Sequence, residues 1–313
     1  MPTRRFLYLE IGEQPLVRAT RPAARVPTVA PPARTRFHTA EVIGAFGLDL
    51  GQFNAPAGVA VDNEGALYVA DSYNHRIQKI TAAGDVYGLG RRGDAPGEFF
   101  QPQAVAVDGA RYVYVVDQGN NRLQKFSPEI QLIFCLGGPA VRGARFQSPS
   151  AVALDQFHNI YVADTGRDRV VVYTADGRRK SVFPPAGSPV ALLRPQGVAV
   201  DAELNLYVAD TLNHRLVKLA ADGSLVWVAG RRGRGWGELD EPTHLAVDVD
   251  GGILAVDRTN NRLQKFSADG QPVGVLVNGR SSLSSPTGVA LDPAGSVYLS
   301  DTLHHRVLRL APT

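Results

Sequence analysis

Six Asp/Arg pairs recur along the chain at one spacing, D-x-x-x-x-R: Asp71/Arg76, Asp117/Arg122, Asp164/Arg169, Asp210/Arg215, Asp257/Arg262 and Asp301/Arg306. A carboxylate five residues from a guanidinium can form a charge-assisted pair or, in a cleft, bind and move charge. A reaction centre needs one such pair, whereas six copies describe a lattice. The expectation is therefore structural: each Asp ends a strand and accepts backbone N–H groups from a turn, and each Arg opens the next strand within reach of that carboxylate.

The residue before each Arg is less uniform: His75, Asn121, Asp168, His214, Asn261 and His305, with His304 beside the last. Three imidazoles and a carboxylate are ligand types for a transition metal. Spread over six units, however, only His305 and His75 fall on neighbouring units, so neither a metal nor another cofactor is expected. A second cluster joins Arg91, Arg92, Arg142, Arg145, Arg194, Arg231, Arg232 and Arg234 to Trp236. Acids stand in the same segments: Asp94, Glu98, Glu238, Asp240 and Glu241. The arginines, an exposed Trp236, the histidines and the apolar Tyr73, Leu212 and Leu303 together suggest one partner-binding face. A protein partner is expected first. A single-stranded nucleic acid is the weaker alternative, because the arginines have acids beside them and only Trp236 offers a ring for stacking.

The elements that must carry these residues come from a repeat. Six segments align from Pro56, Pro102, Pro149, Pro195, Pro242 and Pro286, spaced by 46, 47, 46, 47 and 44 residues. Each begins like PAGVAVDNEGALYVADSYNHRIQKI, with β-branched runs separated by turn residues, and ends in a fourth apolar run. The fourth runs are Val86–Leu89, Leu132–Leu136, Arg179–Phe183, Leu225–Ala229 and Val273–Val277. Four antiparallel strands per unit make one propeller blade. The last unit stops at Leu310 after three strands, and an orphan run, Val42–Phe46, precedes the first unit. That run is expected to complete the last blade and close an all-β, six-bladed propeller over residues 41–313.

The recurring pattern P-x-G-V-A-V-D, L-Y-V-A-D and N-H-R, seen as Asn74-His75-Arg76 and Asn213-His214-Arg215 and as Asn-Asn-Arg at 120–122 and 260–262, resembles the NHL-repeat propellers. The resemblance spans 53–310. It implies the six-bladed fold, and it admits several functions, since such propellers include RNA-binding and protein-binding domains, sensors and a class of lyases. The amidating lyases of that class carry zinc histidines directly after the repeat proline. Here that slot holds Ala57, Gln103, Ser150, Gln196, Thr243 and Thr287, and His244 stands one position late and alone. A non-enzymatic role as a scaffold or complex subunit is the expectation, with a metal-assisted lyase or hydrolase at the channel mouth as an alternative.

Composition bounds the rest. The 313 residues are 44% apolar and 20% charged, with one cysteine, Cys135, which excludes an intrachain disulfide or a cysteine zinc cluster within one copy. Residues 1–40 hold seven Arg against Glu10 and Glu13, a local charge of +5 that leaves −2 for the rest of a chain whose net is +3. This Pro/Ala-rich arm lacks a sustained helical or strand period and is expected to be extended or disordered unless bound. Its apolar start breaks at Glu10, too early for a secretory h-region, and no window approaches a membrane span, so a cytoplasmic location is expected. Gly88-Leu-Gly-Arg-Arg-Gly93 spells a dinucleotide motif but precedes a strand rather than a helix. Arg92-Gly93-Asp94 reads as chance, and Asp248-Val-Asp250 offers too few oxygens for a calcium loop.

Overall fold

The computed structural model describes residues 37–138, 146–278 and 283–312. The remaining positions, which include most of the N-terminal arm together with Arg142 and Arg145, lie outside the described residues. Among the described residues no helix is long and apolar enough to cross a membrane.

The apolar runs fold as six sheets of four antiparallel strands each, ordered inward to outward along the chain. Blade one shows the plan: Pro56–Val61, Leu67–Asp71, Arg76–Ile80 and Val86–Leu89. Its second strand is buried throughout, because it lies in mid-sheet with blades packed on both faces. Blade six is made of Val289–Leu291, Val297–Asp301 and Arg306–Pro312, and its fourth strand comes from the other end of the chain, Phe37–Ile43. Val42 lies opposite Leu308 and Ile43 opposite Val307, so the first strand and the last are zipped antiparallel and the ring has no free edge between its ends.

The closing strand starts earlier than its apolar run suggested. It spans Phe37–Ile43 instead of Val42–Phe46, with an irregularity between Thr39 and Glu41, while Phe46 has left the sheet. The physical reason is position. An outermost strand faces solvent and needs no apolar run, and Gly44 (φ +78°) turns the chain away, with no room for a Cβ against the Phe53 ring.

Six seams between blades form the core. Tyr114, Val116 and Leu123 of blade two meet Phe146, Val152 and Ile160 of blade three, and the ring closes where Val59, Leu67 and Val69 meet Tyr298 and Val307. Near the axis the first strands crowd so closely that a Cβ on Gly58, Gly197 or Gly288 would lie within 2.2–2.6 Å of the next blade's backbone. This explains the glycine in the repeat's P-x-G.

Candidate functional site

The turn between the second and third strands of each blade is built by the Asp/Arg pair. Each Asp is fully buried, and each Arg Nε donates to it: 2.8 Å for Arg76 and Asp71, 2.7 Å for Arg122 and Asp117, 2.8 Å for Arg169 and Asp164. The other three distances are 2.7 Å for Arg215 and Asp210, 2.6 Å for Arg262 and Asp257, and 2.8 Å for Arg306 and Asp301. The second carboxylate oxygen accepts a backbone N–H seventeen residues earlier, as from Asn54 to Asp71 and from Phe100 to Asp117. Burial pushes the Asp117 carboxyl up from its ordinary range, against the pull of Asn120, the Phe100 N–H and Arg122. The arginines also reach the inter-blade loops. Arg262 donates to the carbonyls of Arg234, Gly235 and Glu238, and Arg122 to those of Asp94, Ala95 and Glu98.

The variable residue before each Arg sits in the left-handed backbone region, with φ between 53° and 57° in the five turns that read as short 3₁₀ segments. Asn, Asp and His tolerate this conformation best among side chains. Each side chain accepts the backbone N–H of the residue that precedes the next repeat's proline. His75 takes Gln101, Asn121 takes Ser148, Asp168 takes Arg194, His214 takes Glu241, Asn261 takes Ser285, and His305 takes Ala55. The imidazoles accept through Nδ1. Burial, and then the Arg92 guanidinium, holds His75 below its ordinary pKa. The histidine ring thus clasps blade to blade. Among the described residues no three His, Cys, Asp or Glu side chains converge as a metal site.

The arginine-rich loops face the same end of the propeller, but much of their charge is matched locally. Arg91 pairs with Glu98 at 2.9 Å and Arg231 with Glu238 at 2.9 Å, while Arg232 lies 3.8 Å from Asp240. Glu98 is held below its ordinary pKa first by its bond from Arg91, and Glu238 first by the Gly235 N–H and then by Arg231. Arg92 lies over the Phe100 ring. Trp236 is half-buried rather than exposed, with its Nε1 out of solvent and no acceptor among the described residues. The Arg262 and Glu238 bonds draw its loop down onto the blade.

Large apolar side chains do stand free on this face: Phe46 (66% exposed), Leu48, Tyr73 (58%), Leu212 and Leu303 (59%). Phe46 packs its ring on His305, 4.8 Å between centroids, which places it beside Leu303. Tyr73 and Leu303 edge a cavity of about 390 Å³ at the mouth of the central channel. Two positions per repeat line it, the residue after the proline and the residue after the Asp: among them Ser72, Gln103, Gln118, Ser150, Thr165, Gln196, Thr287 and Thr302. Arg194, Arg258 and His244 complete the wall. Burial pushes the His244 pKa down to about 4. Sequence reasoning set His244 aside because it misses the slot after the proline, and it did not single out Arg258. The signal available was the register, since inner-strand starts must face the axis.

A sequence model of the NHL repeat matches residues 53–80, 192–219 and 283–310, which fall on blades one, four and six. A 62-residue stretch is 42% identical to a B-box type zinc finger protein, ncl-1, of Caenorhabditis elegans, covering 18% of this chain and 7% of that protein's length. Among solved structures, a protein of unknown function from Bacteroides thetaiotaomicron superposes with a TM-score of 0.67 at 18% identity, over 88% of this chain and 75% of that one. A gluconolactonase from Xanthomonas campestris gives 0.63 at 18% identity, over 90% and 99%. A virginiamycin B lyase from Staphylococcus aureus gives 0.63 at 10% identity, over 89% and 99%. Likeness at such identities is a likeness of fold. The chain is a six-bladed β-propeller that carries NHL repeats.

Proposed function

We propose that the chain is a non-enzymatic interaction propeller, a scaffold or accessory subunit that holds a protein partner on the face bearing the channel mouth. One observation carries this reading. Phe46, Tyr73 and Leu303 are large, apolar and more than half exposed; Phe46 packs on His305 of blade six, and Tyr73 and Leu303 edge the same cavity. Apolar anchors inside a polar rim are the arrangement of a binding hot spot. Arg91, Arg231 and Arg232 supply that rim, and their local acids make the face less suited to a phosphate backbone. The basic arm, now residues 1–36 because Phe37–Ile43 is the closing strand, is part of the same proposal, as a segment that adds contacts on the partner.

The test is affinity purification from the native host, comparing the wild type with a Phe46→Ser/Leu303→Ser double variant. Phe157→Ser/Val249→Ser serves as a control, because those exposed residues sit on the opposite turns. A stoichiometric partner lost only from the first variant supports the reading. A partner retained by it contradicts the reading.

A further inference from the structure

The channel mouth contains donors that the fold leaves unused. Its hydroxyls give their protons to neighbouring blades: Ser72 to the Pro102 carbonyl, Thr165 to Pro195 at 2.7 Å, and Thr302 to Pro56 at 2.8 Å. Arg194 and Arg258 are different. Arg258 occupies the position at which the other blades place Ser, Thr or Gln, and it spends only Nε, on Ser285 Oγ at 3.1 Å. Among the described residues neither guanidinium has an acidic partner, and no carboxylate lines the cavity. Two delocalised charges therefore line one open-mouthed cavity, each without a carboxylate partner among the described residues. His244 adds two buried ring nitrogens that make no well-formed hydrogen bond among the described residues, with only the Thr287 backbone nearby, an arrangement that costs stability unless something fills it.

We propose that this mouth is a binding site for a small hydroxylated carboxylate, gripped by Arg194 and Arg258 and contacted by His244. The carboxylate supplies the missing negative charge in the bidentate geometry that guanidinium prefers. Hydroxyls on the ligand suit the rest of the wall, because Ser72, Thr165 and Thr302 direct their protons to carbonyls and each keeps a lone pair as acceptor, Thr165 and Thr302 sharing theirs with the Ser150 and Thr287 hydroxyls. A cavity of about 390 Å³ holds one sugar-sized molecule. The proposal does not depend on the protein partner. It concerns the cavity floor, whereas the apolar anchors stand on its rim.

The experiment is isothermal titration of the full chain with D-gluconate, glucose and inorganic phosphate as probes. Gluconate binding is expected, with glucose and phosphate each at least about tenfold weaker. Arg258→Gln and, separately, Arg194→Gln are each expected to weaken gluconate about tenfold or more, while Arg178→Gln, on an outer turn of blade three, leaves it unchanged. Melting temperatures check that the variants fold, and the exposed Arg194 provides a second variant should Arg258→Gln not fold. No gluconate binding up to about 10 mM, wild-type affinity in both channel variants, or phosphate binding as tight as gluconate overturns the assignment.

Discussion

His305, in the last blade, accepts the backbone N–H of Ala55 at 3.1 Å across 250 residues of sequence. It repeats at the ring's closing seam the bond that His75 makes to Gln101 and His214 to Glu241 at ordinary seams. Closure is thus chemically equivalent to every other blade junction. The zipped pair Phe37–Ile43 and Arg306–Pro312 seals the outside of the blade, and this clasp seals its inside.

Replacing His305 with Ala removes that acceptor and leaves the Ala55 N–H unpaired, which is expected to cost about 1–3 kcal/mol. His305→Asn should recover most of the loss, because Asn121 and Asn261 fill the same role and Asn tolerates φ near 56°. Urea denaturation of the two variants checks this. Equal destabilisation by Ala and Asn would show that the clasp carries no weight.

The Asp/Arg lattice and the loop arginines should separate sharply in stability. Asp117→Ala leaves the buried Arg122 without its carboxylate, an expected loss of about 3–5 kcal/mol. Arg91→Ala breaks a solvent-exposed pair, and its loss is expected to stay below about 1 kcal/mol. Denaturant midpoints measured at equal m-values decide the matter.

Axial crowding gives a third outcome. A Cβ at Gly288 would lie 2.3 Å from the Ala57 carbonyl oxygen, so Gly288→Val forces apart the seam between blades six and one. The expected cost is about 1–3 kcal/mol or more. Gly84, with nothing within 4 Å, has φ +93°. Gly84→Asn is therefore the comparison, a substitution strained only in its backbone and expected to cost less. A calorimetric melt that finds Gly288→Val no worse than Gly84→Asn would remove the crowding argument.

The imidazole of His244 makes stability pH-dependent. Folded, it is held neutral down to about pH 4, whereas in the unfolded chain it titrates near 6.5. The unfolded state therefore takes up a proton first, so stability is intact above pH 6.5 and falls as pH drops toward about 4. The size of the loss is roughly 3 kcal/mol. The Thr287 backbone pulls the other way, and burial outweighs it. The stability difference between pH 7 and pH 4 should shrink by about that amount in His244→Gln. An unchanged difference would contradict the buried, neutral imidazole.

The blades were legible because the repeat states them six times. Asp at the end of the second strand and Arg at the start of the third fix a turn whose partners are five residues apart, well within local reading. Val86–Leu89, Arg179–Phe183 and Leu225–Ala229 end where their apolar runs do. The closing strand was displaced because Phe37–Ile43 is a solvent-facing edge in which backbone pairing, not an apolar pattern, sets the bounds. The clasp was not legible. His75 and Gln101 meet only when two blades stack, and an imidazole before an Arg carries no local sign of a backbone donor in the next unit. Arg258 was missed and His244 set aside because the channel wall is assembled from all six blades, and only the register of the inner-strand starts points to it.

On the proposed function, the exposed apolar cluster at the junction of blades six and one is what holds a protein partner. A photo-crosslinking amino acid placed at Leu303 in the full chain, inside the native host, tests it most directly, with the same probe at Val249 on the opposite face for comparison. One defined protein adduct from position 303 and none from 249 is the predicted result. The same adducts from both positions, or none from 303, would contradict the account.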